Sequence, residues 1–313
     1  MDVAIGIGIA IAIGVRLFMG CSDNNVRYRP RRFNRLSKAY GAFVTFVDWG
    51  YDQEQRSAVM REPVDYPDFV VRFYDVIYRQ IRAHVDETYF LRQIAKFGGK
   101  ALEIGAGTGR LFSQALMNGA DIYGLDVNGK MIEKAKEKIA PEHHQRLYIQ
   151  DAVTMQLPHR FALILAPFRV FSHVIDVEDQ IRCLNRVHEH LEPGGRFIFD
   201  LYVPDLDILR NGIRDRIDFD DEYEKGKRLI RIISSNSDMA SQTSNVRMKF
   251  KWDEDGRKRE AEWSFLMRFF FRYELEHLIR LSNLKLEAVF GDYEENPIHK
   301  DSKDFVLVCS RRK

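Results

Sequence analysis

From 68 to 97, apolar residues recur at helical spacing: Phe69, Phe73, Val76, Ile77, Ile81 and Val85, then Tyr89, Phe90 and Ile94. Spacings of three and four put such residues on one face, so two helical segments are predicted. Gly98-Gly99 ends the pattern. Beyond Lys100 the period changes. Short apolar runs at 100–104, 121–125, 146–149, 161–166 and 195–201 alternate with helical stretches at 109–118, 129–139 and 177–191. Pro193-Gly194-Gly195 reads as a turn ahead of the fifth strand. Strand and helix in alternation predict a parallel sheet with covering helices.

Residues 214–268 differ. Charged and β-branched residues alternate, as in 229–233 and 246–252, and Asp253-Glu254-Asp255-Gly256 reads as a hairpin turn. An inserted antiparallel sheet of three or four strands follows. The chain then returns to a helix at 273–282, a strand near 286–290 and a last strand at 305–309. The organisation predicted is an apolar leader (1–21), a basic linker and N-terminal extension (22–67), an α/β core with N-terminal lid helices (68–213), the inserted sheet (214–268) and the end of the core (269–313).

The leader is ambiguous. Residues 3–15 are an unbroken run of Val, Ala, Ile and Gly, broken by Arg16. That run falls short of the ~20 residues a bilayer span needs; counted through Cys21, with Arg16 snorkelling, it is a marginal span. Gly6, Ala10 and Gly14 form a small-residue stripe. Arg27, Arg29, Arg31, Arg32, Arg35 and Lys38 follow the apolar run rather than precede it. A cytoplasmic domain tethered to the membrane through 1–38 fits the positive-inside rule. A buried or unstructured leader, a misplaced start and a lipid-modified Cys21 stay open.

Composition narrows the function classes. The 313 residues are 45% apolar and 30% charged, enough for a full core. A net charge of +2 gives no global signal for nucleic acid. Cys21, Cys183 and Cys309 are far apart and show neither a disulfide framework nor a metal spacing, so no metal is expected and a reducing compartment is favoured.

The chemistry gathers at predicted strand ends. The strand ending at Ile104 runs into Gly105-Ala106-Gly107-Thr108-Gly109 and then a helix. Glycines permit positive φ and close approach of a ligand to the backbone, and the helix start offers free N–H groups. A dinucleotide loop has the pattern G-x-G-x-x-G. Here the third glycine comes one residue early and Arg110 follows it, which favours S-adenosylmethionine (SAM) over NAD. Glu103, beside the turn, can reach the donor's ammonium directly or through water. Asp126, at the end of the next strand, can accept from both ribose hydroxyls, with Val127 adjacent. Met131 is a candidate adenine contact or ordinary helix packing. Asp151, with Ala152, is a candidate for the adenine amino group or a helix N-cap.

After the fourth strand comes Ala166-Pro167-Phe168-Arg169-Val170-Phe171-Ser172-His173, at the edge where open α/β sheets bind ligands. Ala166 and Phe168 are candidate donor contacts, Phe171 a substrate contact and His173 a candidate base. The aromatics could equally be core, and the histidine could satisfy a local backbone group. Asp200 and Tyr202, ending the fifth strand, are further candidate substrate contacts.

With these motifs the chain resembles a class I SAM-dependent methyltransferase from about 68 to its end. The resemblance rests on Leu-Glu-Ile-Gly-Ala-Gly-Thr-Gly-Arg (102–110), Gly-Leu-Asp (124–126), Gln-Asp-Ala (150–152) and Leu-Glu-Pro-Gly-Gly-Arg-Phe-Ile-Phe-Asp (191–200). It implies a Rossmann-like seven-stranded sheet with an antiparallel last strand. Phe-Tyr-Asp-Val-Ile-Tyr (73–78), the 166–173 segment and the stretch from Gly291-Asp292-Tyr293 to Pro297 resemble the small-molecule branch that includes amino-sugar N-methyltransferases. That likeness places Tyr74 or Tyr78 near the donor's carboxylate or methyl group, with Tyr78 a candidate catalytic residue; by composition alone both could be core. The leader and the inserted sheet depart from the pattern. The Asn-Pro-Pro-Tyr motif of DNA-base methylation is absent, so no DNA partner is expected. The function expected is methyl transfer to nitrogen or oxygen of a small molecule, with a homodimer left open. The competing reading is a non-catalytic, membrane-recruited SAM-binding scaffold.

Overall fold

The computed structural model describes residues 65–81 and 85–312; the apolar leader and most of the basic linker lie outside them. Among the described residues no helix is long and apolar enough to cross a membrane. The predicted N-terminal helical stretch is two helices, α1 (Asp68–Ile81) and α2 (Val85–Phe97). The α/β run supplies β1 (Lys100–Ile104), α3 (Arg110–Met117), β2 (Asp121–Asp126), α4 (Gly129–Lys136), β3 (Leu147–Ile149), β4 (Phe161–Ala166), α5 (Val177–His190) and β5 (Leu191–Tyr202). A short helix absent from the sequence expectation, α6 (Leu206–Asn211), follows. Asp205 caps it by accepting from the Asp207 and Ile208 N–H groups.

The inserted sheet has four strands, β6 (Ile213–Glu224), β7 (Lys227–Asp238), β8 (Thr243–Glu254) and β9 (Arg257–Arg268). They pair antiparallel in chain order. Asp255 and Gly256 both take positive φ, 51° and 71°, as a two-residue hairpin turn that matches strand twist requires. The chain closes with α7 (Arg272–Leu281), β10 (Leu284–Phe290) and β11 (Asp304–Arg311).

The main sheet is seven-stranded, ordered β10-β11-β5-β4-β1-β2-β3, with β11 antiparallel to both its neighbours. The first two strand-helix-strand units run outward from β1 to β3, and the next begins on the other side of β1 at β4. That reversal opens a crevice at the carboxyl ends of β1 and β4. Both faces are covered. Leu102, Ile164 and Phe197 pack towards α5 and α7, while Ala101, Leu163 and Ile198 pack towards α2, α3 and α4. One expected turn is corrected: Pro193-Gly194-Gly195 lies within β5, absorbed where the pairing shifts register between Phe161↔Leu191 and Leu163↔Arg196. A third apolar cluster joins Val70, Phe73 and Ile77 of α1 to Phe219, Leu229, Met248 and Phe250 of the inserted sheet.

Candidate functional site

The glycine turn is shaped by three neighbours. Gly105 and Ala106 donate N–H bonds to the Leu125 carbonyl, at 2.8 and 2.9 Å, closing the turn onto β2. Gly105, Gly107 and Gly109 have φ of 73°, 53° and 76°, where a Cβ is strained. A Cβ at Gly105 would lie 2.4 Å from Val170 of the loop after β4, and one at Gly109 2.9 Å from Ala135 of α4. Gly107 is different. The nearest atom to its Cβ position is the Gly105 carbonyl, 3.9 Å away, so the turn stays open there.

Asp126 ends β2 beneath that opening. Its carboxylate accepts from the Gly107 N–H at 2.9 Å and the Asn128 N–H at 2.8 Å. Burial raises its pKa, opposed by these backbone bonds. Asn128 in turn caps α4 through the Met131 N–H. Glu103, one residue before the end of β1, is 3% exposed, and its Oε2 has no hydrogen-bond partner among the described residues. Burial pushes its carboxyl well above the usual range, against the pull of the Arg110 cation. Arg110 opens α3 and forms 2.9 Å ion pairs with Asp86 and Glu87 of α2. Its guanidinium lies 5.5 Å from the Phe168 ring centre.

Helix α1 covers this cradle. Thr108 of the turn donates to Asp75 at 2.6 Å, and Lys138 pairs with the same carboxylate at 2.7 Å. Tyr74 and Tyr78, one helical turn apart, bring their rings to 4.4 Å. Tyr78 meets Phe168 edge-on at 5.0 Å, and Tyr74 meets Tyr66 at 6.4 Å. Burial pushes the Tyr74 and Tyr66 hydroxyls upward in pKa. The inserted sheet adds Trp263, 4.7 Å from Tyr66, and Phe265, stacked on Trp263 at 4.4 Å.

The loop after β4 is strained. Phe168 and Arg169 have φ of 63° and 62° without being glycine. The conformation is held from β5 and β11: the Arg169 N–H donates to Asp200 at 3.3 Å, and its guanidinium pairs with Asp304 at 3.2 Å. His173 ends the loop with its ring 5.6 Å from Phe265. Its Nδ1 is buried with no partner among the described residues, and burial lowers its pKa to about 4.

Thus Tyr74, Tyr78, Glu103, Gly105, Gly107, Gly109, Asp126, Phe168 and His173 converge around the carboxyl ends of β1, β2 and β4. Ala106 and Ala166 are buried in the walls there, and Val127 is exposed just past Asp126. Three expected substrate contacts are engaged with other parts of the chain. Phe171 is buried between Phe199 and Phe270, with ring distances of 5.4 and 5.7 Å, and belongs to the core. Asp200 is fully buried and accepts the Tyr293 hydroxyl at 2.9 Å besides holding Arg169. Tyr202 bonds Ser244 and lies under the Arg169 guanidinium at 5.2 Å, tying β5 to the inserted sheet. Met131 is buried. Asp151 is exposed and accepts from the Val153 N–H at 2.9 Å in a turn, so it caps no helix; Ala152 is half-buried beside it.

The sequence predicts a pocket bordered by the 68–97 helices, the 166–173 loop and the inserted sheet, but not the side chains that make it: the Asp86 and Glu87 partners of Arg110, the bond of Asp75 to Thr108, and Trp263, Phe265 and Arg231. The inward parity of Arg231, two residues from Leu229 and two from Ile233, was the available signal for the last.

A crevice of this kind at the switch point, with an open glycine turn and an acid ending the next strand, defines a methyltransferase-type Rossmann fold. Residues 101–195 match the methyltransferase domain family. The chain is 32% identical over 152 residues to an uncharacterized methyltransferase of Geobacillus kaustophilus, a match that covers 47% of this chain and 67% of that protein. Matches to Bacillus relatives cover 60% of their length. Among solved structures, a SAM-dependent methyltransferase from Clostridium acetobutylicum aligns with a TM-score of 0.63 at 16% identity, over 77% of this chain and 98% of that one. The sugar N-methyltransferase KedS8 from Streptoalloteichus aligns at 0.60 and 16% identity, over 77% and 93%. The chain belongs to the class I methyltransferase family, whose methyl donor is SAM. The residues present fit that donor: the unpartnered Glu103 oxygen lacks the cation an ammonium would bring, and the opening at Gly107 leaves backbone accessible beside Asp126.

Proposed function

We propose that this enzyme transfers the methyl group of SAM to a nitrogen or oxygen of a small molecule. The observation that carries the reading is the meeting of aromatic side chains from three separate segments at the carboxyl end of β4. They are Tyr74 and Tyr78 from α1, Phe168 and His173 from the loop, and Trp263 and Phe265 from the inserted sheet. Such walls suit a compact acceptor with an apolar or cationic body and exclude water from the transfer. The names of two structural neighbours, a sugar N-methyltransferase and an amino pentose methyltransferase, agree with it.

Bound SAM supplies an electrophilic methyl group on a sulfonium. On this reading Glu103 holds the ammonium and Asp126 accepts from the ribose hydroxyls. Val127, Met131, Asp151 and Ala152 border the adenine, and the chain at Gly105, Ala106, Gly107 and Gly109 lets the donor approach. Tyr74, Ala166 and Phe168 line its methionine end, while Tyr78 and His173 face the acceptor. An SN2 transfer needs alignment above all. With a pKa of about 4, His173 is neutral near pH 7, so it serves as a hydrogen-bonding partner, and an amine acceptor reacts from its deprotonated form. Incubation with methyl-labelled SAM and a metabolite extract tests the proposal. Label is expected in the low-mass fraction and lost in Gly107→Arg; label found only in protein or nucleic acid overturns it.

A further inference from the structure

The face of the inserted sheet that meets α1 is built from Phe219, Leu229, Met248 and Phe250, with Trp263 and Phe265 packed beside them. Arg231 interrupts it. Among the described residues it is the one charged residue of this sheet that is buried, at 3% exposure. Burying a guanidinium is costly even when it is paired, and replacing a whole buried ion pair with apolar side chains of similar volume commonly does as well or better for stability. The pairing here is full: Nε and Nη2 reach the two Asp218 carboxylate oxygens at 3.0 and 2.7 Å. The bidentate fork holds the guanidinium plane in one orientation. The guanidinium carbon lies 4.9 Å from the Tyr78 ring centre, so the cation sits against that ring and its phenol dipole. Tyr78 then meets Phe168 at 5.0 Å, in the strained loop that presses Val170 against Gly105.

We propose that Arg231, braced by Asp218, is a positioning residue that fixes Tyr78 at the donor site, so that the inserted sheet is a working part of that site. Phe73 and Ile77 attach α1 to the sheet by apolar packing, which is non-directional and leaves the Tyr78 ring free to turn. The fork against Asp218 removes that freedom. A matched pair on the same two strands shows what is particular to Arg231. Arg228 also grips an aspartate with two 2.7 Å bonds, to Asp220, but on the exposed side and away from any tyrosine of α1.

This inference rests on the donor half of the proposed function alone. Calorimetric titration with SAM and with S-adenosylhomocysteine tests it without any acceptor, so it can fail or hold independently of the small-molecule reading. In Arg231→Met the affinity for SAM is expected to fall about fivefold, the scale of one lost charge-assisted contact, and the melting temperature to fall as well, because Asp218 is left without its partner. Arg231→Lys restores part of the loss, and Arg228→Met changes nothing. In a Tyr78→Phe background, Arg231→Met costs less than it does alone, because the two residues act as one unit. Wild-type SAM affinity in a folded Arg231→Met protein overturns the proposal, as does an undiminished loss in the Tyr78→Phe background. Should Arg231→Met not fold, Asp218→Asn and Arg231→Lys carry the same cycle with the same two outcomes.

Discussion

The two sheets of this enzyme solve different problems with the same strand geometry. The seven-stranded sheet is buried on both faces, so Leu102, Leu163, Ile164 and Phe197 fill its middle, and its buried carboxylates, Glu103 and Asp200, stand near the carboxyl ends of their strands. The four-stranded sheet buries one face and gives the other to ladders such as Lys249 with Glu260 and Glu262. It can therefore carry a paired arginine in its buried face and deliver it from the side. Helix α1 belongs to both: its apolar side packs on the inserted sheet, and its polar side, through Asp75 and Thr108, closes on the glycine turn. Scaffold and lid thus have separate apolar clusters, joined by α1 at the glycine turn and by polar contacts such as Arg268 and Gln242 with Glu274 of α7.

The largest expected effect tests that separation. Phe161 is fully buried in the main core and Phe73 in the cluster between α1 and the inserted sheet. Truncating either to alanine costs about 3–5 kcal/mol. The loss is expected to appear in different places under native-state hydrogen exchange. Phe161→Ala accelerates exchange throughout β1, β4 and β5. Phe73→Ala accelerates it in α1 and β6 to β9 while the main sheet keeps its protection. Uniform acceleration in both variants would show one cooperative unit in place of two.

His173 gives the next effect, at the boundary between the two cores. Its folded pKa of about 4 lies below the ordinary value of 6.5 because burial disfavours the imidazolium. As pH falls, the unfolded chain takes the proton first. The histidine's contribution to stability is therefore complete above about pH 6.5 and is lost as pH falls towards 4, by on the order of 3 kcal/mol. Glu103, with a raised carboxyl pKa, works in the opposite sense, but it is common to both chains in a comparison with His173→Gln. Urea unfolding of the two at pH 7 and pH 4.5 should show the variant losing less stability. Equal losses would remove His173 from the buried boundary.

Much of the main sheet and its donor turn was legible in the sequence, for a physical reason. Positive φ at 105, 107 and 109 admits little but glycine, and strands buried on both faces read as continuous apolar runs. The inserted sheet was legible as strands because alternation is a property of one-sided burial. Its place as a wall of the pocket was legible too, but the burial of Arg231 was not, since an arginine at an inward parity differs from an outward one only through its tertiary partners, Asp218 and Tyr78. The contacts of Asp200 and Tyr202 within the chain were hidden for a related reason. A strand's carboxyl end marks where a ligand can bind, but either side chain can be turned to bracing, here onto Tyr293 and Ser244. Pro193-Gly194-Gly195 misled because a loop-like triplet can be absorbed into a strand by a shift of register.

A smaller effect separates backbone strain from crowding within the main sheet. Gly194 has φ of 85° with nothing within 4 Å of its Cβ position, whereas Gly105 has φ of 73° and Val170 at 2.4 Å. Alanine at 194 should cost about 1 kcal/mol for conformation alone. Alanine at 105 should cost about 2–3 kcal/mol, because it adds overpacking against the loop. Chemical denaturation of the two variants reads the difference, and equal costs would mean that Val170 yields freely and that the loop does not press on the turn.

Thr108→Val carries the smallest effect and the sharpest reading. The substitution is close to isosteric and removes the 2.6 Å bond to Asp75, while Asp75 keeps its 2.7 Å pair with Lys138. Global stability should fall by only about 1 kcal/mol. Because α1 stays packed on the inserted sheet, its loss of contact with the turn is a loss at the donor site and not of the helix. SAM affinity is therefore expected to drop a fewfold while exchange protection in α1 holds. If protection in α1 collapses together with affinity, the bond to Thr108 is what keeps the helix folded, and α1 answers to the glycine turn before it answers to the sheet on which it packs.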